Sequence, residues 1–190
     1  MRFVCAMLTT VACSCLLLYG QQPVQAIHSF AVRGIDGESK QVQLGASRAT
    51  VVVFVSSLCP VSTAYGERLT KLNADFASRD VLMILVNSNQ NESDAQVEEQ
   101  RKIARLPMPV YRDPNGRVAE LLGAYGTPTA VVLDQSGAIR YLGAIDDARD
   151  PTRVTRQYLR GAIEAILVGQ AVAQAQTRTL GCSIKRLSTP

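Results

Sequence analysis

The 190-residue chain has no tryptophan, one histidine (His28) and five cysteines. No histidine neighbours a cysteine in sequence, which argues against a Cys-His hydrolase. His28 with the chain's cysteines falls well short of a zinc signature, although a copper site with a newly exposed terminal amine stays open for it. There is no glycine-rich phosphate loop and no stripe of alternating basic and aromatic residues. The net charge of +4 is small and dispersed, so composition excludes nucleic acid as a partner. No cofactor motif and no internal repeat are present, and 190 residues suit one domain with its own core.

What the chain does have begins at its N-terminus. Met1 and Arg2 give a short positive start, residues 3–19 are apolar, and residues 24–26 read Val-Gln-Ala. A membrane anchor competes with a signal peptide here, because the run is near the lower limit for a span, about 17 residues. The small residues of a cleavage site decide for a signal peptide over 1–26 and an exported, periplasmic or secreted protein. No stable membrane insertion is expected after cleavage. Cys13 and Cys15 lack a convincing lipidation context. Removal of the signal takes away Cys5, Cys13 and Cys15 and leaves Cys59 and Cys182. Two cysteines in an exported chain point to a disulfide or a redox pair.

The remaining pattern alternates. Residues 27–47 read as a β-rich lead-in with a turn at 34–40. Residues 50–57, TVVVFVSS, form a continuous β-branched run, the mark of a central strand buried on both faces. Val61, Tyr65, Leu69, Leu72 and Phe76 then line one helical face. A second buried strand (81–88), a polar helix (91–106), a short strand and turn (107–116) and a short helix (117–126) follow. A hairpin over 129–145 and a helix over 151–169, with Pro151 at its start, close the domain. This order predicts an α/β domain over 27–169, with a mixed central sheet and helices on both faces, and a polar tail over 170–190 that carries Cys182.

Cys59 lies between the first buried strand and the helix. A thiol attacks as thiolate, and free N–H groups at a helix start favour the anion. Pro60 suits a first helical position, where no donor is needed. Ser62, three residues on, offers a hydroxyl to the sulfur but cannot resolve a disulfide. Buried apolar packing is the competing role for Cys59. Its position at the carboxyl end of a strand favours chemistry. Pro128, just before the strand at 129–134, cannot join a ladder as donor. A cis bond after Thr127 would free Thr127 backbone groups to pair with an extended chain; an ordinary loop proline is the alternative.

An apolar strand, Cys59-Pro60-Val61-Ser62 opening a helix, and Gly126-Thr127-Pro128-Thr129 before a strand and hairpin together resemble the thioredoxin-like superfamily. The nearest resemblance is to exported redoxins of the peroxiredoxin-like (AhpC/TSA) and TlpA-like groups, over about residues 27–168. It implies a thioredoxin fold, Cys59 as nucleophile and Pro128 as a cis-proline facing it. The pattern departs from both parent types. Ser62 replaces the second cysteine of Cys-x-x-Cys. Val52 and Ser56 stand where peroxiredoxins carry proline and threonine before the reactive cysteine.

Cys182 is then the one protein thiol left to resolve Cys59. Residues 169–181 separate it from the last helix and reach at most about 45 Å when extended. Resolution within the chain, across a dimer, or by an external thiol all remain open, as does a permanent structural bridge. Lys185 and Arg186 beside Cys182 favour its thiolate. The expected protein is a thiol oxidoreductase acting on a disulfide partner or a peroxide. Cys59 and Cys182 are its catalytic residues; Pro60, Ser56, Ser62, Thr127 and Pro128 line its substrate groove. A thiol peroxidase and a non-catalytic binding or metal-handling module are the rival functions.

Overall fold

The computed structural model describes residues 26–186. The expected signal segment, with Cys5, Cys13 and Cys15, lies outside the described residues except for Ala26. The elements are β1 (Ser29–Arg33), β2 (Ser39–Gln43), β3 (Ala49–Phe54), α1 (Pro60–Thr63), α2 (Gly66–Phe76), β4 (Val81–Asn87) and α3 (Asp94–Ile103). They continue with β5 (Val110–Arg112), α4 (Arg117–Leu121), β6 (Gly126–Thr127), β7 (Thr129–Asp134), β8 (Ile139–Gly143), α5 (Tyr158–Leu167) and β9 (Cys182–Ser183).

Seven strands form one sheet in the order β2-β1-β5-β4-β3-β7-β8. β3 pairs parallel with β4 and antiparallel with β7, so the sheet is mixed. The uninterrupted apolar run of β3 is explained by burial on both faces. Val51, Val53 and Val55 enter one core with Tyr65, Leu69 and Phe76 of the α1–α2 region and Ile163 of α5. Val52 and Phe54 enter a second core with Phe30, Val118 and Leu122. Helices thus cover both faces of the sheet in a thioredoxin-like arrangement, as the sequence predicts. No helix among the described residues is long and apolar enough to cross a membrane.

All four expected helices differ from the sequence reading: α3 and α4 are shorter than 91–106 and 117–126, with Gly126 entering β6, and the other two differ more. The face drawn by Val61, Tyr65, Leu69, Leu72 and Phe76 is real, but the backbone divides into α1 and α2 around Ala64 and Tyr65. Gly66 marks the junction, where a Cβ would sit 2.7 Å from the Ala104 carbonyl oxygen, closer than packing allows. The last helix is shorter than 151–169 and starts at Tyr158. Residues 151–153 form a single 3-10 turn, capped by the Asp150 side chain on Thr152 N–H. The next stretch is held outward because Thr155 N–H donates to Asp147 Oδ1 at 2.9 Å and Asp147 N–H donates to the Arg156 carbonyl at 3.1 Å.

On α3, Glu98 pairs with Lys102 one turn on, at 3.6 Å, and with Arg101 at 2.8 Å. A reciprocal capping box between Ser93 and Gln96 satisfies the free donors at its start.

Candidate active site

Cys59 is the N-cap residue of α1, with an extended backbone and Pro60 in the first turn behind it. It is only 1% exposed, while Leu58 beside it is 55% exposed, so the site lies just under an apolar rim. The Thr127–Pro128 peptide is cis, and the Cys59 thiol lies 3.4 Å from the Thr127 carbonyl oxygen, to which it donates. The structure therefore brings together Cys59, Pro60, Ser62, Thr127 and Pro128, with Cys59 and Thr127 68 residues apart in sequence.

Cys182 joins them. The tail returns across the molecule, and β9 pairs antiparallel with β6, setting Cys182 opposite Thr127. The two sulfurs lie 2.6 Å apart with no disulfide between them, a separation that a small movement would close to a bond. Upstream, Gln176 bridges to Leu142 of β8, and Thr177 Oγ1 meets Tyr141 Oη at 2.7 Å and accepts from Ala144 N–H at 2.8 Å. Downstream, Ile184 is 8% exposed within the second core, and Lys185 N–H donates to Asn89 Oδ1 at 2.8 Å.

The electrostatics separate the two thiols. Burial alone would push the Cys59 thiol up, but hydrogen bonds overcome it and hold it below the ordinary thiol range. The donors are the Cys182 thiol, the Ser62 and Cys182 N–H groups and the Thr127 side chain. Cys182 moves the other way. Its hydrogen bond to Cys59, burial and repulsion from the Cys59 charge raise it, against the pull of Arg149 and Lys185. The expectation that neighbouring cations would favour the Cys182 thiolate is thus corrected. Lys185 acts in that direction but is outweighed, and Arg186 lies over the Tyr125 ring instead.

The roles of the serines are also corrected. The Ser62 group that lowers Cys59 is its backbone N–H, while its hydroxyl accepts from Ser56 N–H at 3.0 Å. A four-residue helix contributes little dipole, so individual N–H donors do the work. The Ser56 hydroxyl donates to Glu92 at 2.6 Å rather than to sulfur. Thr127 Oγ1 is buried and has no hydrogen-bond partner, so its hydroxyl is free to serve the Cys59 thiolate once that forms, and it acts to lower the thiol. Thr127→Val should raise the Cys59 pKa and slow its alkylation near neutral pH by about tenfold, the worth of one hydrogen bond to a charged group. The pH profile of iodoacetamide labelling checks this, since a packing defect alone would leave the inflection in place.

Sequence reasoning missed a supporting layer. The sequence places Glu92 in the polar helix expected over 91–106, but Glu92 precedes α3 and is 4% exposed. Its carboxylate accepts from Ser56 Oγ, from Ser57 N–H at 2.7 Å and Ser57 Oγ, and from Asn87 Nδ2 at 2.7 Å. Arg112, also buried, donates to Asn87 Oδ1 at 2.6 Å and to the Glu92 carbonyl at 2.7 Å. Together these groups fix the loop that delivers Cys59. The polar run Asn87–Glu92 at the carboxyl end of a buried strand was the available signal. Glu92→Ala strands several buried donors and should cost about 3 kcal/mol of stability, read by urea denaturation.

His28 is exposed just before β1, and its carbonyl accepts from Leu44 N–H at 2.9 Å. Among the described residues no three His, Cys, Asp or Glu side chains gather as a metal site requires.

A mixed sheet covered on both faces, a cysteine at a strand-to-helix junction and a cis-proline facing it define a thioredoxin-fold redoxin. The chain belongs to the AhpC/TSA family, whose family model matches residues 23–142. Among solved structures, it is similar to a hypothetical protein from Sinorhizobium meliloti at 29% identity, covering 85% of this chain and 92% of that one, with a TM-score of 0.75. An uncharacterized conserved protein from Geobacillus kaustophilus is similar at 27% identity, 85% and 90% coverage and a TM-score of 0.76. A thiol:disulfide interchange protein from Chlorobium tepidum shares the fold at 20% identity, 78% and 96% coverage and a TM-score of 0.55. A comparison with curated proteins gives no significant match.

Proposed function

We propose that this chain is an exported thiol–disulfide oxidoreductase in which Cys59 is the nucleophile and Cys182 the resolving thiol. The observation that carries the reading is the approach of the two sulfurs to 2.6 Å, with Cys59 lowered and Cys182 raised. The Cys59 thiolate attacks one sulfur of a partner disulfide and the other sulfur leaves as a thiolate. Cys182 loses its proton and attacks the Cys59 sulfur of the mixed disulfide. The Cys59–Cys182 disulfide forms, and the partner's second sulfur departs reduced. An external dithiol restores the pair and is itself oxidised.

Export is supported by the N-terminal pattern of residues 1–26 and by the two cysteines left after it. Ser62 blocks the local Cys-x-x-Cys route, so resolution comes from the tail. Peroxide chemistry fits less well. Val52 replaces the family's proline, and the hydroxyl at Ser56 is spent on Glu92. Arg112, the buried arginine near this end of the sheet, donates to Asn87, Asn89 and Glu92.

Parallel assays on the mature protein with a dithiol as electron donor test the assignment, one with a peptide disulfide and one with hydrogen peroxide. Faster Cys59-dependent reduction of the disulfide is expected. Rapid Cys59-dependent peroxide consumption with slow disulfide reduction would transfer the assignment to a thiol peroxidase.

A further inference from the structure

The tail does more than deliver a thiol, because it lies where an incoming chain would have to lie. β9 occupies the Gly126–Thr127 edge beside the cis-proline, and Ile184 N–H donates to the Tyr125 carbonyl at 2.9 Å. The ladder continues outward, with Lys185 N–H on Asn89 Oδ1 at 2.8 Å and the Lys185 carbonyl accepting from Gln90 N–H at 2.8 Å. These contacts are made by backbone groups of the tail, which any sequence possesses.

Upstream, Thr179 Oγ1 lies 2.9 Å from Thr129 Oγ1. Around the reacting sulfur, three positions of the tail are read closely. Cys182 meets Cys59. Ile184, two residues on and therefore on the same side of an extended chain, is buried in the second core. Gly181 lies so close that a Cβ would overlap the Thr127 carbonyl oxygen and stand 3.1 Å from Pro128 Cδ. Ser183 and Lys185 point outward and are exposed.

The geometry points to the tail as a tethered copy of the substrate. The site takes a disulfide on an extended polypeptide, with glycine just before the reacting cysteine and an aliphatic residue two positions after it. Substrate and tail exclude one another. This inference rests on the thiol–disulfide reading above.

It also gives the order of events. The tail leaves the β6 edge, the substrate strand replaces it, and Cys59 attacks the substrate cysteine in the place Cys182 vacated. The bond between Cys59 and the substrate sulfur forms as the substrate disulfide breaks, and its second sulfur leaves as a thiolate. As the tail pairs again with β6, Cys182 attacks the Cys59 sulfur and the substrate strand is displaced with its thiol reduced. Resolution and product release are one event, and the oxidised pair awaits an external dithiol.

The test uses the full mature chain carrying Cys182→Ser, so that only Cys59 reacts. Peptides with the sequence of residues 178–186, their cysteine capped as a pyridyl disulfide, release a chromophore when attacked. Replacing the peptide's glycine by valine, or its isoleucine by aspartate, should slow release by about tenfold or more, the cost of a clash or a buried charge. Adding Gly181→Val to the protein should act in the opposite sense, speeding attack on the parent peptide about tenfold by unseating the tail. Dithiodipyridine, which has no flanking chain, reports Cys59 nucleophilicity alone and normalises each rate.

Equal normalised rates for all peptides, with no gain from Gly181→Val, would overturn the inference and leave the oxidoreductase reading intact. Failure of Cys59 to react even with dithiodipyridine would overturn both. The peptide series leaves the protein's own groove unaltered, so it decides the matter even if Gly181→Val misfolds.

Discussion

Cys59→Ser should reduce disulfide exchange by about a thousandfold or more, because a serine hydroxyl at this position has no base to activate it. The groups around the sulfur are donors: the Ser62 and Cys182 N–H groups, the Cys182 thiol and the Thr127 side chain. They stabilise an anion that a thiol readily becomes and a hydroxyl does not. The fold should tolerate the change, since the replacement is nearly isosteric and those donors remain available to oxygen. Activity would vanish while the melting temperature moves by only a few degrees, a separation that near-UV circular dichroism and a kinetic assay read together. A buried cysteine with a packing role would give the reverse, lower stability and unchanged exchange.

Cys182→Ser should leave the first attack in place and stop the second. The variant is expected to accumulate one mixed disulfide per chain, with steady-state turnover falling by about a hundredfold. Initial attack should persist near neutral pH, because the serine hydroxyl and the N–H of residue 182 still donate toward Cys59. A small external thiol would restore part of the turnover by taking over resolution. Stoichiometry of the trapped adduct, measured by intact mass, distinguishes this stall from a plain loss of activity.

The pH dependence follows from the same groups. Cys59 is lowered, so its thiolate is already populated below the range of a free thiol, about 8.5, and exchange should reach its plateau at correspondingly lower pH. The rise of Cys182 comes mainly from Cys59 itself and lapses once Cys59 is in a mixed disulfide, so the resolving step should follow the ordinary thiol range, about 8.5, and lose rate as pH falls while the first attack persists. At mildly acidic pH the mixed disulfide should therefore build up even in the unmodified protein.

Local chemistry was legible in the sequence where it depended on neighbours along the chain. The β-branched run of β3, the turn and hairpin of β7–β8 and the Cys59-Pro60 junction all carry short-range signals, and the structure places them where the sequence predicts. The cis peptide before Pro128 was one of two readings the sequence left open. Features that depend on partners far away in sequence were not legible. The start of α5 is set by Asp147 capturing Thr155 and Arg156, contacts invisible to helical periodicity. Glu92 reads as one more acidic residue until Ser56 and Ser57, some 35 positions earlier, fold against it. The seating of the tail was the least legible, because β9 pairs through backbone groups that every residue has. Chain length showed only that Cys182 could reach Cys59. Gly181, which alone permits the close approach to Thr127, carried the sequence signal for where it docks.

Disulfide mapping after reaction with less than one equivalent of a partner disulfide tests the central claim most directly. Rapid acid quench, alkylation and proteolysis should yield the Cys59 and Cys182 peptides cross-linked within one chain, with no free Cys59 in the reacted fraction. Recovery of Cys182 as an alkylated free thiol beside an oxidised Cys59, or a cross-link between two chains, would contradict the account.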